Sequence, residues 1–208
     1  MEDVAAILLA AGRSRRMGKF KPLLPFGDTT VIQSCLDNLR AAGIEEIVIV
    51  VGHRAVDIQA HLHDSRLAFA VNPDPNSAMS ASIICGLDLV GPKAPAFLIA
   101  LVDHPAVDAG TIRAIIESWQ RGAKLVQPEH AGRGGHPVLI DASFRRDLLN
   151  LDPNAGLRSF FESQRKETLR LAVESPYVAR DMDTWEDYVR LHEDLFGRPP
   201  DTGRPHFP

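Results

Sequence analysis

Through residues 4–121 the chain alternates short, almost purely apolar runs with stretches of helical periodicity, and this alternation restricts the fold more than any other feature. The runs at 4–9, 47–51, 67–71 and 96–102 show no regular polar alternation, the mark of strands covered on both faces. Helical patterns lie between them at 31–41, near 56–62, at 80–89 and at 109–121, and Gly43 stands where a left-handed residue closes a helix. This order predicts βαβ crossovers and an α/β fold with a doubly wound, mostly parallel, Rossmann-like sheet. The pattern loosens beyond 124–127. Gly132, Gly134 and Gly135 read as a flexible loop, 138–140 as a short strand, 143–149 and 155–164 as helices, and 169–173 as a strand. A last helix begins at Trp185.

A chain of 208 residues suits one full-sized domain, expected over 1–196. The segment 197–208 holds four prolines and two glycines, too little apolar surface to order itself, and is expected to be disordered. With 23 Lys and Arg against 27 Asp and Glu, the net charge is −4, which gives no footprint for a nucleic-acid partner. Two cysteines, Cys35 and Cys85, form no CxxC pair, so a disulfide framework and a zinc ribbon are excluded and a cytoplasmic setting is expected. The first apolar run follows Glu2 and Asp3, where a signal peptide needs cations, and it is too short to span a bilayer. No membrane association is expected.

The segment after that first run carries the chemistry. Leu9, Ala10, Ala11 and Gly12 are followed by five cations (Arg13, Arg15, Arg16, Lys19, Lys21) within nine residues of a net-acidic protein. Small residues let backbone amides approach a ligand, and a strand's C-terminal end is where open α/β sheets bind one. Amides plus concentrated positive charge predict an anion site, best suited to a polyphosphate. Two common phosphate loops do not fit. Five residues separate Gly12 from Gly18 and Phe20 follows Lys19, so this is not a Walker A loop; position 14 is Ser, so it is not a GxGxxG turn.

The stretch LAAGRSRRMGKFKPLLPF closely resembles the signature LAAGxSxRMGxxKxLLP of the MobA-like nucleoside triphosphate transferases, a family that includes molybdenum-cofactor cytidylyl- and guanylyltransferases. The resemblance continues along the chain. Leu101-Val102-Asp103-His104-Pro105 is similar to the family's LxDxP element, in which Asp binds Mg²⁺, with His104 where Gln is frequent. A single Asp facing a triphosphate suits magnesium, which keeps waters and phosphate oxygens as its other ligands. Asp181-Met182-Asp183-Thr184-Trp185-Glu186-Asp187-Tyr188 resembles DxDTPEDY, implying Asp183 as a second metal ligand; Asp183 or Thr184 could equally cap the last helix. Ala78 to Gly86 resembles GMxxSLxxG, which leaves Ser82 near a nucleotide or Ser80 as a helix cap. Gly135-His136-Pro137 resembles a GHP element on the acceptor side, and Asp152 to Arg158 a loosened GDxGxR.

The resemblance implies a nucleotidyltransferase (GT-A-like) fold over residues 4–190. It further implies nucleotide contacts from Leu9, Ala10, Ala11, Gly12, Arg16, Met17, Gly18, Lys21 and Ser82, and acceptor contact from His136. Arg16, Lys21 and Asp103 would be catalytic, with Mg²⁺ on Asp103 and Asp183. Ala11-Gly12, where guanylyltransferases tend to carry Gly-Gly, implies CTP, with molybdopterin as acceptor and a molybdoenzyme or its chaperone as recipient. Three alternatives remain open: another phosphorylated acceptor with GTP or a sugar phosphate, a nicotinamide-dependent oxidoreductase related to this family, and a non-catalytic accessory protein.

Overall fold

A computed structural model describes residues 4–14, 16–74, 76–152 and 156–201. The first strand, β1 (Ala5–Leu9), is buried at every position, as an uninterrupted apolar run requires. After a loop and a small antiparallel ribbon, β2 (Pro25–Phe26) with β3 (Thr29–Thr30), the chain enters helix α1 (Val31–Ala41). Thr30 caps α1 by accepting from the Gln33 amide, and the helix buries Val31, Ile32, Cys35, Leu36 and Leu39 along one stripe. Gly43 ends this unit at φ +92°, a left-handed conformation that glycine adopts without steric cost. Then follow β4 (Ile47–Val51), α2 (Ala55–His61), β5 (Ala68–Val71), α3 (Met79–Leu89), β6 (Ala96–Leu101) and α4 (Ala109–Gln120). Asp108 caps α4 through the Thr111 amide.

β1 lies between β4 and β6, parallel to both, and β5 extends the sheet beside β4. Alternate residues of β1 feed two cores. Ala6 and Leu8 join α1, α2, α4 and the last helix; Ala5, Ile7 and Leu9 join α3 and two later helices, at 145–149 and 156–163. Helices therefore cover both faces, the three-layer arrangement expected of a doubly wound sheet.

The third quarter departs from strand–helix alternation. β7 (Leu125–His130) turns through β8 (Arg133–Gly134) and returns as β9 (Val138–Asp141), which inserts antiparallel between β7 and β6. The connection 131–137 is too short for the helical crossover that a parallel return needs. Nor is it a loose loop, contrary to the expectation for Gly132, Gly134 and Gly135. A Cβ on Gly135 would stand 2.0 Å from the Val178 carbonyl oxygen, and the amides of Gly135 and His136 donate to Pro128 and Val178. Only glycine fits so close a backbone approach.

Helices α5 (Arg145–Leu149) and α6 (Gly156–Ser163), strand β10 (Thr168–Ala172) beside β7, and α7 (Trp185–Phe196) complete the fold. The order across the sheet is β10-β7-β9-β6-β1-β4-β5. Ala155, the expected first residue of α6, lies outside the described residues. Gly197 closes α7 in the left-handed region and the Arg198 carbonyl accepts from His192 Nδ1; the remainder of the expected tail, 202–208, lies outside the described residues. Among the described residues no helix is long and apolar enough to cross a membrane.

Candidate active site

The chain reverses its lateral progress across the sheet at β1: β4 and β5 lie on one side, β6 on the other. Such a switch point leaves a crevice beyond the strands' C-terminal ends. A cleft of about 330 Å³ opens there, lined by residues that follow β1 (Ala11, Gly12, Ser14, Arg16), β5 (Asn72, Asp74) and β6 (Asp103). Its size is within the range of small-molecule sites.

The loop after β1 folds back on itself. Ser14 takes φ +50°, its carbonyl accepts from the amides of Met17 and Gly18, and its hydroxyl accepts from the Lys21 amide at 3.3 Å. This turn delivers Lys21 into the cleft although the side chain is only 7% exposed. Its Nζ lies 3.3 Å from Asp183 Oδ1 and 3.6 Å from Asp103 Oδ2. Arg16 reaches Asp183 Oδ2 at 2.6 Å from the solvent side. Two carboxylates thus converge on one buried ammonium.

Each carboxylate has a reason for its place. Asp103 follows the tip of β6, and its main-chain carbonyl accepts the Met182 amide at 3.0 Å. That bond brings the segment before α7 over the end of β6 and sets Asp183 opposite Asp103. The cap of α7 is Thr184, which forms a reciprocal capping box with Asp187, so Asp183 is left for the cleft. Asp103 Oδ1 is buried and accepts no hydrogen bond. His104 Nε2 lies 3.8 Å away, beyond hydrogen-bond distance, and His104 Nδ1 lies 3.2 Å from the Tyr177 carbonyl. A buried anionic oxygen without a donor is a place that a cation completes. Two carboxylates with phosphate oxygens and water form the ligand set magnesium prefers, and Asp103 with Asp183 fits it. Among the described residues no cluster of three or more His, Cys, Asp or Glu side chains forms a closed metal cage.

The other expected residues are distributed unevenly. Leu9, Ala11, Gly12 and Ser82 line the cleft with Arg16 and Lys21. Ala10 and Met17 are buried in the core, 2% and 5% exposed, and Gly18 lies outside the lining. Arg15 is outside the described residues; Arg13 donates to Asn76 at the surface. Ser80 does not cap α3, which starts after Ala78 without a side-chain cap; its hydroxyl is buried and unpaired. Ser82 accepts from Asn72 Nδ2 at 2.9 Å, and the same amide donates to Ser77 at 2.8 Å. Asn72 was not singled out from the sequence as a site residue. Its position directly after an apolar strand, the same signal that marks Asp103, points to it.

His136 does not line the cleft that holds Asp103. Its ring centroid is 5.6 Å from that of His104, and it lines a second cleft over β9, β7 and α6. Burial lowers its pKa to about 4, with His104 acting in the same direction and Asp103 and the Ile99 carbonyl opposing. The unfolded chain protonates near the ordinary 6.5, so the folded state binds fewer protons between 6.5 and 4. Stability conferred by neutral His136 is complete above pH 6.5 and falls as pH drops toward 4, by roughly 3 kcal/mol in all. Denaturant melts at pH 7.5 and 4.5 test this: the loss should shrink in His136→Gln, and an equal loss in both proteins contradicts it.

The MobA-like NTP transferase domain model matches residues 6–168, most of the chain, including Lys21 and Asp103. The chain belongs to the MobA-like NTP transferase family. Within that family it is 29% identical over 197 residues to the nicotine blue oxidoreductase of Paenarthrobacter nicotinovorans, covering 90% of this chain and 96% of that protein. It is 23% identical to the molybdenum cofactor cytidylyltransferase of Escherichia coli K12, covering 93% and 97%. Among solved structures it is similar to Rv0371c of Mycobacterium tuberculosis H37Rv, at 32% identity and a TM-score of 0.84 over 92% of this chain and 98% of that one. Rv0371c has also been solved in complex with manganese. As a MobA-like NTP transferase, this chain carries a mostly parallel central sheet and belongs to a nucleotidyltransferase family.

Proposed function

We propose that the protein transfers CMP from CTP to the phosphate of molybdopterin, with Mg²⁺ and release of pyrophosphate. The observation that carries this reading is the convergence of Asp103 and Asp183 on Lys21, with one Asp103 oxygen left bare. In the reaction an acceptor phosphate oxygen bonds to the α-phosphorus, and the bond from α-phosphorus to the bridging β-phosphate oxygen breaks. Such displacement needs alignment and charge neutralisation more than covalent help. The backbone around Gly12 holds the β- and γ-phosphates. Lys21 and Arg16 answer the charge that builds on the α-phosphate and the leaving group, and Asp103 and Asp183 hold the metal. A bound divalent cation supplies neutralisation at the phosphate oxygens. A phosphate dianion is already nucleophilic, so no general base is required.

CTP is favoured because Ala11 lines the cleft where a methyl group narrows the space for a base. Full-length similarity to the molybdenum cofactor cytidylyltransferase supports both the nucleotide and the acceptor, and the product would pass to a molybdoenzyme or its chaperone. The wild-type protein should use CTP in preference to GTP. Ala11→Gly should relax that preference about tenfold without reversing it, since one methyl group discriminates by ~1–3 kcal/mol. Comparison of kcat/KM for both nucleotides in both proteins is the test, and a wild-type preference for GTP overturns the cytidylyl assignment. Similarity to nicotine blue oxidoreductase supports a second reading, a nicotinamide-dependent reduction at the same cleft.

A further inference from the structure

The two cations beside Asp103 and Asp183 differ in freedom. Lys21 is 7% exposed, and its Nζ contacts one oxygen of each carboxylate, Asp183 Oδ1 at 3.3 Å and Asp103 Oδ2 at 3.6 Å. One oxygen remains on each. That of Asp103, Oδ1, is buried and accepts no hydrogen bond. That of Asp183, Oδ2, is taken by the Arg16 guanidinium at 2.6 Å. The Arg16 side chain is 74% exposed and reaches in from solvent. Asp74, the other charged residue of the lining, follows β5, and its carboxylate accepts from the Asn76 amide.

Two cations therefore balance the two carboxylates that would hold a metal, and one of the two spare oxygens is already in use. A dication entering here must break the Arg16–Asp183 pair and approach a guanidinium that the pair holds in place. Burial fixes Lys21, whereas exposure leaves Arg16 able to turn away. A triphosphate offers the guanidinium more negative charge than one carboxylate does, on paired oxygens that match its fork.

We propose that Arg16 masks Asp183 in the nucleotide-free protein, and that a bound triphosphate unmasks it by drawing the guanidinium onto its own oxygens. Metal capture then depends on nucleotide binding, and Arg16 acts before the reaction as well as during it. Because coupling between two ligands is reciprocal, metal tightens nucleotide by the same factor. That the triphosphate belongs to a nucleotide rests on the transferase reading; the masking of Asp183 does not.

Mn²⁺ alone, followed by electron paramagnetic resonance of the aqueous ion, tests the masking without turnover. Arg16→Gln should bind Mn²⁺ about tenfold more tightly than the wild type, because it removes both the pair and the like charge. A merely structural role for Arg16 gives no such gain. In the Asp183→Asn background the same substitution should change Mn²⁺ affinity less than about threefold, since no pair remains to break. α,β-Methylene-CTP, which cannot release pyrophosphate, should tighten Mn²⁺ binding about tenfold more in the wild type than in Arg16→Gln, read by water-proton relaxation. Equal or undetectable Mn²⁺ binding by the wild type and Arg16→Gln overturns the proposal. So does a full gain that persists without Asp183, or a nucleotide effect of the same size in both proteins. The expected pattern of Mn²⁺ binding without any nucleotidyl transfer supports the masking and removes the transferase reading alone.

Discussion

Asp103→Ala is expected to reduce pyrophosphate release on the order of 10³-fold, about 4 kcal/mol of transition-state stabilisation. Among the described residues the carboxylate is the one cleft group with a buried oxygen that accepts no hydrogen bond, and it faces a buried ammonium. Removing it deletes a metal-holding group and half of the negative charge around Lys21. The fold should survive. Asp103 binds the segment before α7 through its main-chain carbonyl, which alanine retains, and α4 is capped by Asp108 instead. Circular dichroism and metal-dependent pyrophosphate release, measured on the same preparation, decide the matter: activity near that of the wild type contradicts the role given to Asp103.

Lys21→Ala should lower kcat by 10²–10³-fold, roughly 2–4 kcal/mol, with a much smaller change in nucleotide affinity. In the resting protein the ammonium is shared between Asp183 at 3.3 Å and Asp103 at 3.6 Å, so its charge is largely compensated before substrate arrives. Its contribution grows as negative charge develops on the α-phosphate. The variant also leaves two carboxylates facing each other with Arg16, which is 74% exposed, as their nearest cation. Nucleotide titration alongside single-turnover kinetics separates the terms. A rise in KM with kcat intact shows a uniform binding role and contradicts this account.

Much of the fold follows from periodicity that can be read along the chain. The strands 47–51 and 96–101 and the helix 31–41 are legible because each has one burial pattern throughout, either apolar on both faces or striped at helical spacing. The β7–β8–β9 turn was not legible as a sheet element. Three glycines usually signal a loose loop, and only the packing of Gly135 against the Val178 carbonyl, about forty residues away in the chain, makes them a tight one. The site divides in the same way. Asp103 and the loop after β1 could be found because strand tips and charge clusters are local features. Convergence of Lys21, Asp103 and Asp183 depends on the bond between Met182 and Asp103, a contact between distant segments that no local pattern encodes. Asn72 was missed because an asparagine after a strand also suits an ordinary turn, and only its two serine partners tie it to the cleft.

Transfer of the α-phosphate is the central claim, and label from [α-³²P]CTP follows it directly. Incubated with Mg²⁺ and molybdopterin, the protein should move the label into a product that also contains the acceptor, with one pyrophosphate released for each label transferred. Absence of label transfer, together with acceptor-dependent oxidation of a reduced nicotinamide cofactor, would contradict the account.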